Sequence, residues 1–79
     1  MTPTVFSKQG YRFFFFSREE QRMHVHGVST DGEAKFWLEP EVEAAKVYRY
    51  NQQQLRIIKL LVEEHRDELI AAWRQHFGT

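Results

Sequence analysis

Apolar and polar positions alternate with a period of two through the first half of the chain and recur at three- and four-residue steps near its end. Strands are therefore expected first and a helix last. Thr4-Val-Phe6 opens a short strand, and Gln9-Gly10 supplies a turn into Tyr11-Arg-Phe-Phe-Phe-Phe16. A charged connection, Ser17-Arg-Glu-Glu-Gln-Arg22, leads to a third strand over residues 23–29. Thr30-Asp-Gly32 then carries the Asp-Gly hairpin signal into a fourth strand over 33–38. After Pro40, residues 41–48 read as a short helix with proline in its first turn, the alternative being a bent strand extension.

From residue 52 to 77 the pattern is helical. Asn51 is placed to cap the helix, with Gln54 as its capping-box partner, and Gly78 stops it. Leu55, Ile58, Val62, His65, Leu69, Ala72, Trp73 and Phe77 form the apolar stripe. The resulting expectation is an α+β domain over residues 1–79, a small antiparallel sheet of three to four strands with one long C-terminal helix packed across one face. Phe14 or Phe15, Val25, Phe36 and Leu38 should then meet Leu55, Ile58, Val62 and Leu69.

Alternation also sorts the polar groups. In Arg22-Met-His-Val-His26, His24 and His26 point one way and Val25 the other, and in Gly32-Glu-Ala-Lys-Phe-Trp-Leu-Glu-Pro40 the side chains of Glu33, Lys35, Trp37 and Glu39 share one face. Both imidazoles and the indole are expected together on the side of the sheet away from the helix. Two uses fit that set. His24 and His26 with Glu33 or Glu39 could hold zinc, but no Cys pair or His-Glu-x-x-His helix supports a metal, and none is assigned. Acid-base chemistry on RNA needs no metal: a His or Glu takes a proton from the 2′-hydroxyl while Lys or Arg stabilises the phosphorane. Arg22, His24, His26, Glu33 and Lys35 are the catalytic candidates.

Composition adds an interface. Twelve of the 79 residues are aromatic, seven of them Phe, more than one thin core hides, so Tyr11, Phe13, Phe15 and Trp37 are assigned to a binding surface. Eleven basic residues balance eleven acidic ones, and no net field draws nucleic acid; any such contact needs a local patch. On the helix, Glu63, Glu64 and Glu68 interleave with the basic residues, and His65 and His76 read as boundary histidines. The chain has no cysteine, no secretory-signal pattern and no apolar run that spans a bilayer, so a cytoplasmic protein with no membrane association and no cofactor is expected.

The order of Gly10-Tyr-Arg-Phe-Phe-Phe-Phe-Ser17, Arg22-Met-His-Val-His26, Gly32-Glu-Ala-Lys-Phe-Trp-Leu-Glu-Pro40 and Trp73-Arg-Gln-His-Phe77 resembles the domain of unknown function family 4160 of short bacterial proteins, over nearly the whole chain. Gly27, where an apolar strand residue is expected, and Val47-Tyr-Arg-Tyr50, where a Gly-Leu-Ser type of turn is usual, depart from it. The resemblance implies a second small protein encoded alongside, of the domain of unknown function family 2442, in a two-gene cassette of the toxin-antitoxin kind. The expectation is thus a type II toxin-antitoxin component, the toxin rather than the antitoxin, in a heteromer with its cognate partner and directed at RNA. A DNA-binding regulator, a metal-binding enzyme using His24 and His26, and a homodimer are the alternatives.

Overall fold

The alternating segments pair into one antiparallel sheet. In the computed structural model, which describes residues 4–15 and 22–78, β1 (Thr4–Lys8), β2 (Tyr11–Phe14), β3 (His24–Val28), β4 (Glu33–Trp37) and β5 (Glu43–Tyr48) follow in chain order. Each strand lies beside its neighbours in sequence. Two helices, α1 (Gln52–Glu64) and α2 (Arg66–Phe77), complete the chain. Phe16 and the charged stretch 17–21 lie outside the described residues. No helix among the described residues is long and apolar enough to cross a membrane.

The α+β class is as expected, but the sheet has five strands rather than three or four, and the helix is broken in two. Both corrections come from contacts between segments distant in sequence. Residues 43–48 are β5, not a helix: β4 would otherwise present a row of unpaired N–H and C=O groups, and β5 with its Val47 and Tyr48 satisfies them. So short a helix has little stability of its own. The helix breaks at His65 (φ −106°, ψ 15°), without proline or glycine. There the Leu61 carbonyl accepts both the His65 Nδ1–H (2.8 Å) and the His65 backbone N–H (3.2 Å), while the imidazole stacks on Phe6 at 4.1 Å. The next residue, Arg66, donates from Nε to the Leu38 carbonyl (2.8 Å) and from Nη2 to that of Pro40 (3.3 Å). Side-chain bonds therefore tie the break to the loop after β4.

The turns follow the sequence closely. Gln9 and Gly10 both have positive φ (54° and 84°), the conformation a two-residue hairpin turn demands. Between β3 and β4, Ser29 N–H donates to the Gly32 carbonyl (3.0 Å). Tyr50 then pins that turn: its hydroxyl donates to the Gly32 carbonyl (2.7 Å), leaving the Ser29 hydroxyl to donate to Tyr50 (2.9 Å). A Cβ on Gly32 would run into the Tyr48 carbonyl, so this glycine serves close backbone approach. Asn51 caps α1 as expected, with reciprocal bonds between Asn51 and Gln54 (2.8 and 3.0 Å), and Gly78 ends α2 in the left-handed conformation.

One face of the sheet is covered by the helices. Phe13, Phe15, Val25, Ala34, Phe36 and Leu38 meet Ile58, Leu61, Val62, Leu69, Ile70 and Trp73 in a single buried cluster, with Leu55 partly buried against it. Burial of each large side chain is worth about 1.5 to 3 kcal/mol. Gly27 belongs to this face as well. A Cβ there would lie 2.9 Å from the Phe13 ring, so the glycine at a position expected to be apolar makes room for an aromatic neighbour on β2.

Candidate functional site: the open face of the sheet

The strand register lays out the face opposite the helix-covered one in cross-strand rows, on which Phe14 and His24 are buried. One row runs Phe14, His26, Lys35, Lys46, and the next runs Arg12, Val28, Glu33, Tyr48. A third pairs His24 with Trp37 and Trp37 with Glu43. The register shift opposite Lys35 and Phe36 leaves Ala45 without an opposite residue. This bulge puts Glu43 on the same face as Lys46 and Tyr48.

The first two rows converge on an open concavity of about 450 Å³ lined by His26, Glu33, Ala34, Lys35, Lys46, Val47 and Tyr48. His26 is half-buried, and its ring stacks on Phe14 at 5.6 Å between centroids. Lys35 and Lys46 stand directly opposite each other.

Three of the five catalytic candidates, His26, Glu33 and Lys35, therefore meet at one groove. The other two do not. His24 is fully buried, its Nδ1 2.8 Å from the Arg22 carbonyl oxygen, to which it donates. Its ring lies 5.2 Å from Trp73 of α2 and 5.7 Å from Trp37. The helix break is the reason: α2 brings Trp73 against Phe15 (5.3 Å) and over the start of β3, covering an imidazole expected to stand open. Arg22 sits away from the groove, its guanidinium 4.3 Å from the Trp37 ring and bonded to the Glu39 carbonyl (3.1 and 3.3 Å).

The binding set is corrected more heavily. Phe13 and Phe15 are buried in the core and Tyr11 is buried beside them, because the parity of β2 turns Tyr11, Phe13 and Phe15 toward the helices and Arg12 and Phe14 away. Tyr11 meets Tyr50 edge-on at 6.0 Å. Only Trp37 of the four stands on the open face, half-buried, with the Lys35 ammonium 4.7 Å from its ring. Lys46 and Tyr48, which the sequence reading placed in a helix, are the groove residues it missed. The β-branched and aromatic run Val47-Tyr48 was the available signal.

Among the described residues no three His, Cys, Asp or Glu side chains come together in a metal-binding arrangement. His24 with its buried, bonded ring gives the pair His24 and His26 no support as a metal site.

A family model described as a domain of unknown function, DUF4160, matches residues 10–74. The chain belongs to that family. The match covers β2 to β5, α1 and most of α2, so every groove residue of this DUF4160 chain lies within it. No curated protein and no solved structure matches the chain.

Proposed function

We propose that this DUF4160 protein is the toxin of a bacterial type II toxin-antitoxin pair, that it cleaves RNA at the groove on the open sheet face, and that a small cognate antitoxin neutralises it in a heteromer. The observation that carries the reading is the convergence of His26, Glu33 and Lys35 at one groove, beside a second lysine on the facing strand. A carboxylate can only accept a proton near neutrality, whereas an imidazole can give one. Glu33 thus takes the proton of the 2′-hydroxyl as that oxygen attacks phosphorus. His26 delivers a proton to the 5′-oxygen as its bond to phosphorus breaks, and Lys35 offsets the charge on the phosphorane. The products are a 2′,3′-cyclic phosphate and a 5′-hydroxyl.

The partner half of the reading now rests on a different surface. With Phe13, Phe15 and Tyr11 in the core, the exposed candidate is β5, one of the two edge strands of the sheet, whose residues are exposed throughout. An antitoxin segment added along that edge gains main-chain hydrogen bonds and closes the neighbouring groove. Expression of the chain alone should arrest growth, and co-expression with the adjacent small gene should restore it and let the two proteins co-purify. Normal growth on expression together with recovery of the chain alone would overturn the proposal.

A further inference from the structure

Two groups on β5 have no role in that cleavage step yet face the groove. Lys46 and Tyr48 lie two residues apart on one face of the strand, about 7 Å along it. Lys46 stands opposite Lys35, and Tyr48 stands opposite Glu33. We infer that the groove is a ribonucleotide site in which Lys35 and Lys46 hold the phosphate, Glu33 meets the ribose 2′-hydroxyl and the Tyr48 ring stacks on the base. The inference deepens the RNA-directed reading above and rests on it.

The charge arrangement argues for the phosphate. Lys35, Lys46 and the imidazole of His26 occupy one cross-strand row, so a phosphate drawn to that row is offered nitrogen donors from three adjacent strands. Exposure argues for the base. Tyr48 is 60% exposed, with no aromatic neighbour among the described residues, on a face whose other large rings are taken: Phe14 stacks on His26, and Trp37 carries the Arg22 guanidinium and the Lys35 ammonium against it. A free phenol ring beside a cationic groove is the arrangement on which single-stranded bases stack. The order along the face is then phosphate at the Lys35–Lys46 row and base at the Glu33–Tyr48 row. That order places the ribose beside the Glu33 carboxylate, which accepts a hydrogen bond only from a sugar that has a 2′-hydroxyl. The groove volume of about 450 Å³ falls in the range of small-ligand sites.

The test is an NMR titration of the full chain with adenosine 3′-monophosphate, its 2′-deoxy analogue and inorganic phosphate. Adenosine 3′-monophosphate should shift resonances of His26, Lys46 and Tyr48, and the deoxy analogue should bind more weakly. Phosphate should shift His26 and Lys46 but leave the Tyr48 ring alone. Lys46→Ala should weaken the nucleotide by about tenfold or more. Tyr48→Ala should weaken it by about 5- to 150-fold with phosphate binding unchanged, while Tyr48→Phe, which keeps the ring, retains affinity. Both side chains are exposed, so these variants keep the fold. Unchanged nucleotide affinity in Lys46→Ala and Tyr48→Ala, or shifts confined to other residues, would overturn the inference even if the protein proves to be a toxin. Nucleotide binding at these residues in a protein that neither arrests growth nor cleaves RNA would uphold the site and sink the toxin reading.

Discussion

His24 and His26 show how much one buried contact changes the meaning of a residue. Both have the same strand parity, but Trp73 covers the first and leaves the second at the groove. His24→Ala removes a fully buried ring and its bond to the Arg22 carbonyl, so it should cost about 2 to 4 kcal/mol in urea unfolding. His26→Ala, at a half-buried ring, should cost less than about 1 kcal/mol while abolishing the proposed cleavage of RNA. Equal stability losses would place the two rings in equivalent surroundings, contrary to the structure. Tyr50 offers a separate check through pH. Burial raises its phenol above the ordinary value of 10.0, outweighing the lowering by its Ser29 hydrogen bond. The native state therefore favours the protonated form, and that contribution to stability is complete below pH 10 and lost as the pH climbs from there through the raised value. Wild-type stability should fall more steeply above pH 10 than that of Tyr50→Phe, which has no phenol to ionise; parallel profiles would remove Tyr50 from the account.

At the scale of elements, the sequence was most legible where a local motif carries its own geometry. Gln9-Gly10 makes its hairpin turn, Asn51 and Gln54 make their capping box, and Gly78 takes the left-handed stop. Asn51→Ala should lower stability by about 1 kcal/mol, measurable by chemical unfolding, and an unchanged midpoint would show that the cap adds nothing beyond packing. The two failures have the opposite character, since each depends on contacts between segments distant in sequence. Residues 41–48 contain Glu-Ala-Ala-Lys, good helix formers, but the unpaired edge of β4 decides in favour of β5. The break at His65 is set by Phe6 and by the carbonyls of Leu38 and Pro40, and no residue near 65 announces it. The candidate site was legible to the same degree. His26, Glu33 and Lys35 were found through the β3–β4 hairpin, and Lys46 and Tyr48 were lost with β5.

For the molecule as a whole, the decisive variable is which face of the sheet the helices cover. The alternation of β4 assigned Phe36 inward and Trp37 outward, and both are so placed. The run Phe13 to Phe16 has no internal contrast, so its parity could not be read until the pairing of Phe13 with Gly27 fixed it. Phe36→Ala should cost about 3 to 5 kcal/mol and Trp37→Ala much less, and comparable losses in unfolding experiments would mean that both faces are packed. A core that absorbs Phe13, Phe15 and Tyr11 leaves a polar and cationic face as the candidate surface in place of an aromatic one. The proposed breakage of RNA at this face is read out by end analysis of an unstructured RNA oligonucleotide incubated with the purified protein. Fragments with 2′,3′-cyclic phosphate and 5′-hydroxyl ends are expected from the wild type, and intact RNA from folded His26→Ala. Intact RNA with the wild type, or equal cleavage by His26→Ala, would contradict the proposal.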